Sequence, residues 1–293
     1  MRILFLSAYD TYSHNHWGCG LVKHLPEFDW TYLTLPPRNF SWRIRGNPLG
    51  WYSTKKELLD QHYDTILATS MVDLATLCGL FPKLAPAKKI VYFHENQFAY
   101  PLNNDQKQRP EPKMVNLYAS LAADKVVFNS QYNLESFVAG VGDFISGMPD
   151  FNKLDFVDDI VQKSQTLPVP IAEKILCHET RIPKSILWNH RWEYDKNPED
   201  FFNALFSLFE QNVDFQLIIM GQQFRNQPAI FSHAKEKLAD RIVCWGEQDN
   251  ATYQNWLCKS QFVVSTARHE FQGLAIMEAV QNGCIPVVPE RLS

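Results

Sequence analysis

No apolar run in the 293 residues approaches the ~20 that span a bilayer. No C-x-x-C pair occurs. The six cysteines, Cys19, Cys78, Cys177, Cys244, Cys258 and Cys284, are scattered and read as reduced core or helix residues of a cytoplasmic protein, not as a disulfide frame or zinc site. Positive charge is not in excess: 28 Lys and Arg face 32 Asp and Glu, a net charge of −4. A globally basic nucleic-acid binder is thereby excluded, while a local basic patch would still suffice for RNA. Internal repeats and low-complexity tracts are absent. Residues 1–7 are too short for a signal peptide and read as a buried strand.

What is present is globular. Hydrophobic residues make up 45% and aromatics 13%, enough for two cored domains at this length. Strand-like apolar runs alternate with helical patterns, the sign of βαβ units and doubly wound parallel sheets. Strands are expected at residues 3–7, 30–35, 65–68, 89–93 and 125–129, then at 185–189, 215–220, 242–245, 262–265 and 285–288. Helices are expected at 74–81, 114–123, 198–211, 228–239, 251–259 and 274–281, and one or two amphipathic helices within 144–163, a stretch that includes Asp150 and Phe151. Between the halves, Gln165 to Ile171, continuing to Arg181-Ile182-Pro183, has prolines at 168, 170 and 183 and no periodicity, and reads as an inter-domain connection. Two Rossmann-like domains are therefore expected, at 1–168 and 183–293. The second stops just after a strand and reads as truncated.

Glu270 and Glu278 stand eight positions apart, the first on a strand-to-helix loop and the second about one turn inside the helix. Gly273 permits close approach, and Leu274 opens a helix whose free N–H groups suit a diphosphate. The spacing resembles the Glu-x7-Glu signature of retaining GT-B glycosyltransferases of family 4. The bland alternative is an ordinary βα unit with two solvated acids. Arg191 and Lys196 follow the first strand of the second half, where open α/β sheets bind ligands. They stand where that family places cations on the donor phosphates, with Asn189-His190 in place of the usual glycine. The alternative is a solvated loop with a local Glu193–Lys196 or Asp195–Lys196 pair, and the strand-end position favours the functional reading. Gly221 and Gln222 end the next strand and would let a nucleotide approach, and Trp245-Gly246-Glu247 lies where the family reads the base.

In the first half, His94-Glu95-Asn96 ends a strand. The resemblance places His94 beside the transferred sugar, with Glu95 and Asn96 orienting the acceptor; a hydrogen-bonded strand-end histidine is the alternative. The loop 10–18 supplies Ser13 and His14 to the acceptor. His14-x-His16 suggests a metal, but no third ligand is evident and the family needs none. Ser130 reads as a helix N-cap. Arg38, Arg43, Arg45, Lys55 and Lys56 are interleaved with Phe40, Trp42, Trp51 and Tyr52. Such a mixture can grip phosphates and stack a base, or be a loop and helix start with buried aromatics. Residues 101–112 form a long polar stretch, an acceptor flap or a mobile loop.

Leu35-Pro36 followed by Trp42-Arg43-Ile44-Arg45 resembles the LP-x5-W-R-x-R segment of the tRNA-queuosine mannosyltransferase family. Ser13-His14, His94-Glu95-Asn96-Gln97, Phe128-Asn129-Ser130, Arg191-Trp192-Glu193 with Lys196 and Pro198, and 265–280 match in order. The resemblance implies a GT-B fold with two Rossmann-like domains facing a cleft. It implies transfer of mannose from GDP-mannose to queuosine in tRNA, with retention and no cofactor beyond the nucleotide sugar. His94 and Glu270 would be catalytic. Arg191, Lys196, Gly221, Gln222, Gly273, Leu274 and Glu278 would bind the donor, and Ser13, His14, Arg38, Arg43, Arg45, Glu95 and Asn96 the acceptor. The partners would be tRNA and the nucleotide sugar, not a membrane. A family 4 enzyme with a non-RNA acceptor, or a non-catalytic nucleotide-sugar or RNA-binding protein, also fits these residues.

Overall fold

The computed structural model describes residues 1–100, 110–149, 155–171, 173, 177, 180–224 and 226–292. Most of the polar stretch expected as a flap, 101–109, lies outside them, as do Asp150 and Phe151. The chain divides into two compact units, Met1–Val169 and Pro170–Leu292.

The first unit is built on six strands: β1 (Arg2–Ser7), β2 (Asp29–Thr34), β3 (Thr65–Thr69), β4 (Lys88–Phe93), β5 (Lys125–Phe128) and β6 (Ser164–Thr166). They run in the order β2-β1-β3-β4-β5-β6, every pair parallel. Helices α1 (Tyr12–His24), α2 (Phe40–Leu59), α3 (Leu74–Leu80), α4 (Pro110–Ala122), α5 (Gln131–Ser146) and α6 (Asp155–Gln162) connect them. Ile3, Leu4, Phe5 and Leu6 are all buried. A parallel sheet covered on both faces gives continuous apolar runs rather than alternation, which is why its central strands are visible in sequence.

Three local expectations change. The loop expected at 10–18 is mostly helix: α1 starts at Tyr12. Thr11 stands at its N-cap but its hydroxyl lies 2.6 Å from His14 Nδ1 instead of capping the backbone. Gln165 and Thr166, expected in the inter-domain connection, complete the edge strand β6. The basic segment is a single kinked helix, α2, with Pro48 inside. Proline removes the amide that would bond the Ile44 carbonyl. The Asn47 side chain substitutes, its Nδ2 donating to Ile44 O at 3.1 Å, Arg43 O at 3.0 Å and Met71 O at 3.2 Å. Asn47 Oδ1 also accepts from Asp73 N, so this buried amide joins α2 to the turn that opens α3.

The second unit has β7 (Ser185–Trp188), β8 (Gln216–Met220), β9 (Ile242–Gly246), β10 (Phe262–Val264) and β11 (Ile285–Val287), ordered β11-β10-β7-β8-β9 and all parallel. Its helices are α7 (Pro198–Glu210), α8 (Ile230–Lys237), α9 (Asn250–Lys259) and α10 (Leu274–Gln281). The chain passes from β7 to β8 and β9 on one side and returns to β10 on the other. The loops after β7 and β10 therefore flank the switch point, where such sheets bind ligands.

The expectation that all six cysteines are reduced fails at two of them. Cys177 and Cys258 form a disulfide, 81 positions apart, with their Cα atoms 5.4 Å from each other. No local spacing announces a pair brought together by folding alone. Among the described residues, no helix is long and apolar enough to cross a membrane.

Candidate active site

The loop after β7 is pinned from below. Trp192 is buried against Phe231, the rings stacked at 4.0 Å, and edge-on to Trp245. Its amide donates to the Gln222 carbonyl at 3.0 Å. Gly221, at φ +136°, lies so close to the His190 carbonyl that any Cβ would collide with it. Gly221 is thus required by the approach of one protein loop to another, and Gln222 contributes its backbone to the same contact. Trp245 turns its ring into this aromatic core, so of the 245–247 stretch it is Glu247 that is exposed.

The loop after β10 is stitched to that frame. Thr266 Oγ1 donates to the carbonyls of Lys196 and Asn197, and the Arg268 amide donates to Asp195 O. These bonds carry Glu270 to Lys196. The ammonium donates to Glu270 Oε2 at 3.0 Å and to the His269 carbonyl at 2.9 Å, with Asp195 Oδ2 at 3.3 Å. Lys196 is only 6% exposed, so the solvated-loop alternative does not describe it. Burial would raise the Glu270 carboxyl, but Lys196 and the Gly273 amide outweigh this and hold it below its ordinary value. Asp195 and Glu270 give the ammonium two carboxylate neighbours, so a diphosphate could replace Asp195 as a counter-ion without the lysine being left uncompensated.

Two residues beside the pair, His190 and Ser265, stand in segments that the sequence singles out without giving either a role. His190 is buried, its Nε2 2.9 Å from Ser265 Oγ. Burial first, and then Lys196, lowers its imidazole to about 4, so it is neutral. A neutral ring adds no competing positive charge beside Lys196. Arg191, by contrast, is half-exposed, with Glu193 at 3.0 Å. That pair contributes little to stability.

Gly273 is the left-handed N-cap of α10, at φ +70°, a conformation that favours glycine. Leu274 begins the helix, and Glu278 follows on it. Tyr253, from α9, donates to Glu278 Oε2 at 2.8 Å, and burial first, then Glu278, raises its hydroxyl pKa so that it stays a donor. Asn189 Nδ2 donates to Tyr253 Oη at 3.1 Å and to Ala275 O at 2.9 Å. The residue in the family's glycine position thus helps orient the acid on α10.

In the first unit, His14, His94 and Glu95 come together. The two imidazoles meet edge to face at 4.2 Å, and His14 Nε2 lies 3.5 Å from Glu95 Oε2. Trp17 and Tyr92 enclose His94, whose Nε2 is buried without a hydrogen-bond partner. Burial, and then His14, keeps His94 well below its ordinary 6.5 and therefore neutral. The His94 carbonyl accepts from Asn129 Nδ2 at 2.8 Å. Asn96 does not join the cluster. It is fully buried, its amide donating to Asn133 and Ser136 and its carbonyl accepting from the Phe98 and Ala99 amides. Ser13 lies exposed on the first turn of α1. Among the described residues no three His, Cys, Asp or Glu side chains gather as metal ligands would.

Of the basic residues, Arg38 is exposed, Arg43 is half-buried with an unpartnered Nε, and Arg45 Nη1 pairs with Asp73 at 2.6 Å. Ser130 caps α5, accepting from Asn133 N at 3.0 Å.

The profile described as tRNA-queuosine alpha-mannosyltransferase N-terminal matches residues 2–171, and that of glycosyl transferases group 1 matches 183–291. A tRNA-queuosine alpha-mannosyltransferase of Drosophila melanogaster is 35% identical over 303 aligned positions, covering 99% of this chain and 80% of that protein. Among solved structures, Anabaena HepE in complex with UDP superposes with a TM-score of 0.65 at 12% identity, over 100% of this chain and 81% of that one. Sucrose-phosphate synthase from Thermosynechococcus elongatus gives 0.64 at 13%, over 98% and 81%. These structural likenesses establish the glycosyltransferase fold of GT-B type. By its N-terminal profile and its identity with the fly protein, the chain belongs to the tRNA-queuosine alpha-mannosyltransferase family.

Proposed function

We propose that the chain transfers mannose from GDP-mannose to queuosine in tRNA, in the cytoplasm, with retention of the anomeric configuration. The observation that carries the donor half of this reading is the buried Lys196–Glu270 pair at the switch point of the second sheet. Lys196 and Arg191 would offset charge on the diphosphate as it leaves, and the N–H groups opening α10 at Gly273 and Leu274 would add to them. Gly221 and Gln222 hold the loop that carries Arg191 against the sheet. Glu278, oriented by Tyr253, would accept from the ribose hydroxyls. Glu270, kept ionised by Lys196, would accept from the sugar hydroxyls.

In the first unit, His94 would offer a neutral hydrogen bond near the reacting centre. His14, Ser13 and Glu95 would face the acceptor, and Arg38, Arg43 and Arg45 the tRNA phosphates. The buried Asn96 would position the turn after β4 from inside. The bond from the anomeric carbon to the phosphate oxygen breaks as the bond to the queuosine hydroxyl oxygen forms on the same face. The hydroxyl proton passes to the departing phosphate, and GDP leaves. The reading requires no cofactor and no metal.

The test is to digest tRNA after reaction and identify the modified nucleoside. GDP-mannose should yield an α-mannosyl-queuosine that an α-mannosidase removes. A β-linked product would overturn retention, and transfer only from another nucleotide sugar would overturn the donor.

A further inference from the structure

One face of α2 carries aromatics and cations in register. Trp42, Arg45, Leu49 and Tyr52 recur at three- and four-residue spacing, which places side chains on one helix face; Lys56 follows just past the kink at Lys55, and all five are exposed. Between Trp42 and Lys56 there is no Asp or Glu. From Trp42 to Tyr52 this face is about 15 Å long at the helical rise.

Trp42 is 57% exposed, and its inner side is seated on Gly46, one turn along. A Cβ at Gly46 would collide with Cδ2, Cε2 and Cζ2 of the indole. A glycine inside a helix costs about 1 kcal/mol relative to alanine. Here it allows the ring to lie against the backbone and hold its other side toward solvent. Farther along, the Lys56 ammonium sits 5.0 Å from the Tyr52 ring centroid. Arg45 is held by Asp73 yet keeps its side chain half-exposed. Trp51, nine positions on and chemically identical to Trp42, is 1% exposed and belongs to the core. The fold thereby separates two tryptophans that the sequence offers equally.

We propose that this face of α2 receives an unpaired segment of the acceptor RNA, with Trp42 stacking a base and with Arg45 and Lys56 against its phosphates. The inference rests on the reading of the chain as a tRNA-modifying enzyme. Interleaved cations and an open ring face, on a stretch of helix that carries no acid of its own, match a polyanion that displays bases, as in single-strand recognition.

The experiment measures the Kd of the whole chain for queuosine-containing tRNA across a salt series, with Trp42→Phe, Trp42→Leu and Lys56→Gln, and follows thermal unfolding of each. Trp42→Leu should bind roughly 5- to 150-fold more weakly, its salt dependence unchanged and its unfolding as in the wild type. Trp42→Phe should stay within about threefold, because it keeps a ring to stack. Lys56→Gln should lower the salt slope by about one. Wild-type tRNA binding with an unaffected Trp42→Leu would overturn the inference alone, and so would equal losses for Leu and Phe. A wild-type chain that binds no tRNA would remove the tRNA reading and this inference with it.

Discussion

Lys196 and Glu270, 74 positions apart, meet at 3.0 Å in a site where the lysine is almost fully buried. The pair exists because the loops after β7 and β10 lie side by side at the switch point and are tied by Thr266 and Arg268. Replacing Lys196 with Met leaves two carboxylates without their shared cation. The second unit should lose about 3–5 kcal/mol in urea unfolding. Adding Glu270→Gln should recover part of that loss. Strictly additive effects of the two substitutions would contradict the coupling.

Acid should weaken the fold before it reaches the carboxylate range. His190 is lowered to about 4 from an ordinary 6.5, so the unfolded chain binds its proton more readily than the folded one. Its contribution is complete above pH 6.5 and is lost as pH falls toward 4, roughly 3 kcal/mol in all. His94 acts in the same direction. Stability measured from pH 7 to 4 should therefore fall, and His190→Gln should flatten part of the profile. An unchanged profile in that variant would contradict the assignment.

Tyr253 donates to Glu278 and carries no charge of its own. Tyr253→Phe keeps the ring and removes the donor. Affinity for GDP-mannose should drop about tenfold, close to the worth of one hydrogen bond to a charged group, with little change in unfolding temperature. Calorimetric titration reads this directly, and unchanged affinity would detach Tyr253 from the donor site.

Gly221→Ala places a Cβ against the His190 carbonyl at a backbone angle that side chains avoid. The cost should be at least about 2 kcal/mol from strain and overpacking. The displaced loop should also weaken donor binding. Normal stability in this variant would show that the two loops separate without cost.

The buried strands were legible because parallel strands covered on both faces are continuous apolar runs, as in Ile3–Leu6 and Leu217–Met220. The edge strand β6 was not, since Ser164, Gln165 and Thr166 have no apolar signal and pair on one side only. Helix α2 was hidden by Pro48 and its glycines, and becomes intelligible only once Asn47 is seen bonding the carbonyl that proline leaves free. At the site, Glu270, Glu278, Arg191 and Lys196 stood out by spacing on βα loops. Partners brought in from other elements did not. Tyr253 on α9 belongs to no local pattern, Ser265 gives no sign in its own segment that it meets His190, and no local spacing announces the Cys177–Cys258 bond. Sequence spacing reports contacts along one element, whereas these are made by the order of strands in the sheet.

The most direct measurement offers labelled GDP-mannose and the chain to total tRNA from cells that make queuosine and from cells that cannot. Label should appear in the queuosine-containing tRNA alone and should be lost with Glu270→Ala. Equal label in both tRNAs, or full transfer by the Glu270→Ala chain, would contradict the proposed transfer.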